Sequence, residues 1–311
     1  MQIVLLFPGQ GSQKPGMGQD LAAAYPAAAG VFRTMDEALG VALSPLMFAG
    51  PEEELTRTLN AQPALLAHGA AVWAVVRDRV APFVVAAAGH SLGEFTAYHA
   101  AGALGLGAAL TLVRRRGELM YETGNSRPGA MAAILGELQT PIEAVCAGAA
   151  AAGIVVPANY NCPGQVVISG EVAGVERAME LAKGAGARRT IKLNVSGAFH
   201  SPLMEPAVSG LQKALALAAI TNARFPVFAN VNGDPTTAAS TSADLLLRQL
   251  TSPVQWTLVV SRLAAAYPAA LFVEMGPGNV LSGLVRKIAP SVQTVSCGTA
   301  ADVEQLLAKV A

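Results

Sequence analysis

A chain of 311 residues, 52% hydrophobic and 14% charged, can bury a sizeable core and lies far from the composition of a disordered segment. Twenty-one basic residues balance twenty-one acidic ones, with no long block of either sign. That argues against a nucleic-acid surface or a polybasic membrane anchor, and any anionic ligand has to be met locally.

The N-terminus, MQIVLLFPGQ, has no basic stretch, and its apolar run is too short for a signal peptide or a membrane span. A cytoplasmic chain is expected. Residues 2–7 read as a buried parallel strand ending at Pro8-Gly9. Helical composition follows over 22–39, 52–59 and 64–79, then an apolar strand at 83–88 runs into Gly89-His90-Ser91-Leu92-Gly93 and a helix over 94–101. A further helix surrounds 110–120.

From 129 to 193 the order becomes strand 130–135, helix 141–152, strands 154–159 and 165–169 with a Pro-Gly turn between, helix 172–183 and strand 188–193. This βαββαβ order is ferredoxin-like, and its length suits a small subdomain inserted in a larger α/β fold. The domains expected are therefore 1–128 with 194–311, and 129–193. Beyond the insertion the chain reads as helix 203–218, strand 226–229, helices 243–250 and 256–266, and strand 270–274 ending at Gly276-Pro277-Gly278.

Gly89 to Gly93 matches the G-x-S-x-G elbow, in which a sharp strand-to-helix turn exposes a serine hydroxyl at a helix N-terminus, an end that also favours a developing oxyanion. A glycine-rich turn with an incidental serine is the bland alternative. Ser91 needs a base, but no aspartate occurs between it and His200. Glu118 and Glu122 fall in a helix and the glutamates from 137 to 180 in the insertion. A Ser-His dyad oriented by a backbone carbonyl is the better expectation than a full triad.

Of four histidines, His200 is the best base, because Ser196 to Pro202 is a loop where the insertion returns to the main fold. His90 lies inside the elbow and is expected to point away from Ser91; His68 and His99 lie in helical stretches. The loop Pro8 to Gln13 offers backbone N–H groups at a strand end, where ligands of open α/β sheets collect, though a plain turn reads the same way.

Arg116 falls on the apolar stripe of Ala109, Leu112, Val113 and Met120, whereas Arg114 and Arg115 fall off it. A guanidinium on a buried face demands an anion, either a bound planar carboxylate or an internal glutamate. Isolated Cys146, Cys162 and Cys297, and histidines without ligand spacing, argue against disulfides and a metal site.

FPGQGSQ (7–13), GHSLGE (89–94), RGELM (116–120), NYNCPGQVVISG (159–170), GAFHSPLM (197–204), QLTSPVQW (249–256) and EMGPGNVL (274–281) together resemble the malonyl-CoA:acyl carrier protein transacylases and the acyltransferase domains of polyketide synthases. The resemblance spans nearly the whole chain. It implies an α/β-hydrolase-like large domain with a parallel sheet, an inserted ferredoxin-like subdomain and a cleft site between them. It implies Ser91 as nucleophile, His200 as base, and the N–H groups of Gln10 and Leu92 as oxyanion hole. Arg116 would bind the malonyl carboxylate, the Gln249 carbonyl would orient His200, and Met120 and Phe199 would line the acyl pocket.

The implied substrate is malonyl-CoA, the acceptor the phosphopantetheine thiol of an acyl carrier protein, with no permanently bound cofactor and a monomer as the default, for fatty acid or polyketide synthesis. A malonyl transferase acting in trans in polyketide synthesis or malonate decarboxylation would carry the same motifs. A serine hydrolase or acyl-carrier editing enzyme is the reading from a different class. Arg116 and the absent triad acid argue against it.

Overall fold

The computed structural model describes residues 1–195 and 197–310. β1 (Ile3–Phe7) is buried along its whole length. Its alternate side chains feed two cores, Ile3, Leu5 and Phe7 facing one helical layer and Val4 and Leu6 the other. A strand covered on both faces needs no polar alternation, which is why this segment reads as one apolar run.

α1 (Gln19–Ala24), α2 (Pro26–Leu39), α3 (Ser44–Ala49), α4 (Glu52–Thr56) and α5 (Thr58–Val80) follow. The single helix expected over 22–39 is two. Tyr25 is extended, because a residue before proline avoids the helical region, and Pro26 opens α2, where its missing N–H costs nothing. The helix expected over 52–59 stops at Thr56; Arg57 leaves helical geometry and the Asn60 side chain picks up the freed Glu54 carbonyl at 2.8 Å.

α5 contains Pro63, which cannot bond the Leu59 carbonyl; Arg114 Nη1 donates to that carbonyl instead, at 3.1 Å. By length and apolarity this stretch would suit a membrane span, yet 78% of its apolar window is buried inside the protein. Here it is the central core helix.

Next come β2 (Val84–Gly89), α6 (Leu92–Ala100) and α7 (Leu106–Ser126), then β3 (Gly129–Leu135), α8 (Ile142–Ala149), β4 (Val155–Cys162), β5 (Gln165–Glu171), α9 (Val172–Gly184) and β6 (Arg189–Lys192). The last six elements form an antiparallel sheet in the order β4-β5-β3-β6 with two helices on one face, consistent with a ferredoxin-like unit. Ala130, Ala132 and Ile134 of β3 pack under α8 and α9, while Met131 and Ala133 face the large domain's core.

The remainder is α10 (Glu205–Leu217), β7 (Val227–Phe228), β8 (Pro235–Thr236), α11 (Ala239–Arg248), α12 (Trp256–Ala266), β9 (Leu271–Met275), α13 (Val280–Ile288), β10 (Gln293–Cys297) and α14 (Ala300–Lys309). The large sheet runs β10-β9-β1-β2-β7-β8 and is parallel except for the β7–β8 pair. The expected helix over 243–250 is displaced: α11 starts at Ala239 and ends at Arg248, leaving Gln249 at its C-terminal end with a carbonyl free of the helix ladder. The strand expected over 226–229 pairs only at Val227 and Phe228.

Candidate active site

β2 ends at Gly89 and α6 begins at Leu92, so the chain reverses direction within His90 and Ser91. Ser91 has φ 51° and ψ −109°, a region that side-chain-bearing residues rarely enter. The flanking glycines are dictated by contact: a Cβ on Gly89 would lie 1.9 Å from the Gly93 carbonyl carbon, and one on Gly93 would lie 2.0 Å from the Phe7 oxygen. Among the described residues only two other non-glycines, His200 and Ala219, have positive φ. The candidate nucleophile and the candidate base are thus both held in strained backbone.

Ser91 Oγ lies 2.7 Å from His200 Nε2, and His200 Nδ1 lies 2.9 Å from the Gln249 carbonyl oxygen. Because that carbonyl can only accept, the proton belongs on Nδ1 and leaves Nε2 free to accept from the serine. Burial, and then the nearby Arg116 cation, push the His200 pKa down to about 3, against the pull of the Gln249 carbonyl. The ring is neutral at ordinary pH, as a base must be.

Arg116, on the buried stripe of α7, is 1% exposed. Nη1 donates to Gln62 Oε1 at 2.7 Å; Nη2 reaches Gln249 Oε1 at 3.0 Å and Ser91 Oγ at 3.2 Å. The guanidinium also lies over the Phe95 ring, 5.3 Å from its centroid. Burial lowers its pKa to about 10, partly countered by Glu94, so it keeps its charge at neutral pH. Among the described residues no carboxylate is within ion-pair distance of it, in contrast to Arg114 and Arg115, which pair with Glu118 at 3.0 and 3.1 Å. A buried cation surrounded by neutral amides and a hydroxyl is arranged to receive an anion from outside.

Ser91, Arg116 and His200 open into a cavity of about 410 Å³ that also meets Gln10, Leu92, Met120 and Phe199. The cavity lies beyond the C-terminal ends of β1 and β2, where open α/β sheets place their ligands. Among the described residues, neither the Gln10 nor the Leu92 N–H donates to a protein acceptor. Both are therefore free for an oxyanion, Leu92 at the first position of α6. The Gln10 side chain ties its loop to Thr58 Oγ1 at 3.2 Å. Met131, Ala133 and Val167 of the small sheet form the opposite wall.

Every residue singled out from the sequence for this site therefore meets here. His90 points elsewhere, its Nε2 at 2.8 Å from Asn161 Oδ1 and its ring against Trp256. His68 is buried in α5, and His99 Nδ1 lies 3.0 Å from the Leu104 carbonyl.

Three residues of the site went unread. Glu94, overlooked among the acids between Ser91 and His200, is fully buried beneath the elbow, where burial raises its pKa to about 7. Its Oε2 accepts from Gln249 Nε2 at 2.6 Å and from the Asn230 N–H at 3.1 Å, so it holds the amides around the dyad and makes no bond to His200. Gln62 and Asn230 are the others. Gln62 follows Asn60 by two residues and Asn230 precedes Asn232 by two, so no local pattern sets either apart.

An acyl transferase domain family model matches residues 4–304. The chain is 46% identical over 297 residues to a malonyl CoA-acyl carrier protein transacylase of Bacillus subtilis (strain 168), covering 95% of this chain and 93% of that one. It superposes on a crystal structure of an acyl carrier protein S-malonyltransferase from Vibrio cholerae with TM-score 0.93 at 40% identity, covering 98% and 100% of the two chains. It also superposes, with TM-score 0.94 at 38% identity and 99% and 100% coverage, on a malonyl-transacylase in complex with a type II PKS acyl-carrier protein.

Proposed function

The chain belongs to the malonyl CoA-acyl carrier protein transacylase family, and from that premise we propose that it moves a malonyl group from coenzyme A to the phosphopantetheine thiol of an acyl carrier protein through an ester on Ser91. In the first half-reaction Ser91 Oγ attacks the thioester carbonyl as His200 Nε2 takes its proton. The N–H groups of Gln10 and Leu92 hold the oxyanion. The C–S bond then breaks, and the proton on His200 passes to the departing CoA sulfur. In the second half the carrier thiol gives its proton to His200 and attacks the Ser91 ester, and the proton returns to the serine oxygen.

Gln249 replaces the triad acid: its carbonyl fixes the ring without placing a second charge beside it. Arg116 pairs with the free carboxylate of malonate, selecting a dicarboxylic acyl group and turning its thioester toward Ser91. Met120 and Phe199 bound the acyl group. Residues 129–193 act as a small domain closing the cleft of the large one, formed by 1–128 and 194–311. All the groups used come from one chain, in keeping with a monomer, and no resident cofactor takes part.

The observation that carries this reading is the buried Arg116, without an anionic partner among the described residues and 3.2 Å from Ser91 Oγ. Assaying Arg116→Ala with malonyl- and acetyl-CoA tests it. Preference should pass from malonyl to acetyl groups, and an unchanged malonyl preference would sink the assignment.

A further inference from the structure

Asn230 lies two residues beyond β7 and is wholly buried. Its carboxamide spans the elbow from 139 residues away: Oδ1 accepts from the Ser91 N–H at 2.7 Å, and Nδ2 donates to the Gly89 carbonyl at 2.7 Å. Its backbone is held as well, the N–H donating to Glu94 Oε2 at 3.1 Å and the carbonyl accepting from the Gln255 N–H at 2.8 Å. Every polar group of a buried amide is thus paired, which is the condition for placing one in a core. The amide's orientation is unambiguous, since Ser91 N–H can only donate and Gly89 O can only accept.

The two groups it grips flank His90 and lie immediately before the strained Ser91. Ser91 N–H stands at the start of α6, where no helical carbonyl is available to it. Pairing it with Asn230 leaves the Leu92 N–H as the donor at that helix end free to face the cavity. We infer that Asn230 is a positioning residue for the nucleophile: by bridging Gly89 O and Ser91 N–H it fixes the peptide leading into Ser91, while Gln249 Nε2 holds the Ser91 carbonyl on the other side at 3.1 Å, and so it helps set Oγ against His200 Nε2. Glu94 supports it by anchoring the Asn230 backbone. This rests on reading Ser91 as the nucleophile.

Asn230→Ala removes both bonds, and Asn230→Asp keeps the shape but cannot donate to Gly89. In the full chain, both should lower kcat about 10- to 100-fold, the cost of a misplaced reacting group. KM for malonyl-CoA should stay within about twofold, and the malonyl-over-acetyl preference should be unchanged, because neither Arg116 nor the cavity is touched. A folded Asn230→Ala enzyme with wild-type kcat overturns the inference, as does a loss shared between KM and selectivity. If the variants fail to fold, amide hydrogen exchange of the wild-type protein decides. Ser91 N–H should be protected as strongly as the amides of β1 and β2, and rapid exchange there overturns the inference. Ser91→Ala run alongside separates the two readings: full malonyl transfer by that variant defeats the nucleophile assignment itself, whereas an inactive Ser91→Ala beside an unaffected Asn230→Ala defeats only the role of Asn230.

Discussion

The two walls of the cavity are built on different terms. On the large-domain side, Ser91, Arg116 and His200 are backed by Gln62, Glu94, Asn230 and Gln249, all buried, each with a partner of defined donor or acceptor character. On the small-sheet side, Met131, Ala133 and Val167 present an apolar face whose other side is covered by α8 and α9, and the polar Asn159, Asn161 and Gln165 of the same sheet also meet the cavity. The walls are seamed together, since Tyr160 N–H donates to the Val254 carbonyl at 2.9 Å and Val254 N–H to the Ala158 carbonyl at 2.8 Å. Truncating one member of a buried polar network strands its partners at high cost, whereas an apolar face tolerates changes of volume at modest cost. Chemistry belongs to the first wall and shape to the second.

The largest effects should come from the polar wall. Ser91→Ala and His200→Ala should each lower kcat by about 10⁴-fold or more, and the double variant should be no worse than the single ones, because the pair acts as a unit; steady-state transfer to the carrier protein measures this. Additive losses would mean that the 2.7 Å contact is incidental. Arg116→Ala comes next. Loss of a buried charge pair should cost malonyl-CoA about 3 kcal/mol in kcat/KM, somewhat over 100-fold, while acetyl-CoA is not penalised.

The apolar wall should respond less. Ala133→Leu narrows the cavity and should lower kcat/KM by about tenfold, for malonyl- and acetyl-CoA alike. A selective loss of malonyl transfer would show that the small sheet takes part in carboxylate recognition, and the division between the walls would fail.

The smallest effects concern pH. With its folded pKa at about 3, His200 stays neutral on acidification from pH 7 to 5, so its titration should leave kcat/KM nearly flat across that range. Stability behaves differently. His200 and His68, whose folded values lie at about 3 and about 4, bind protons first in the unfolded chain. Each contribution is intact above about 6.5 and is lost as pH falls toward the folded value, by at most about 1.4 kcal/mol per unit. Glu94, raised to about 7, acts in the opposite sense, losing stability as pH rises from 4.5 toward 7. Glu94→Gln should therefore steepen the fall in melting temperature between pH 6.5 and 4.5, and a slope equal to wild type would contradict the burial of its carboxyl.

The sequence disclosed the elements whose signals are local. The apolar runs of β1 and β2, the elbow glycines and the stripe carrying Arg116 are short-range patterns, and each lies where it was expected. Boundaries set by one residue were less legible: Pro26 divides α1 from α2, and Arg57 divides α4 from α5. The three elements after Gly278, together with α3 and the two-residue β8, were not anticipated. α3 buries only Met47, and β10 has no apolar run to announce it. The dyad could be read because a loop histidine stood out against an absent aspartate. Gln62, Glu94 and Asn230 could not, because their importance arises from pairing across 54 to 155 residues of chain, which no local pattern records.

The central claim is that Ser91 carries the malonyl group between two thiols. Intact-mass measurement of the protein quenched in acid shortly after mixing with malonyl-CoA tests it most directly. One malonyl ester per chain should appear, map to the peptide containing Ser91, and vanish on addition of phosphopantetheinylated carrier protein as the carrier gains the same mass. An adduct elsewhere, no adduct at all, or free malonate accumulating beside an unmodified carrier would contradict the account.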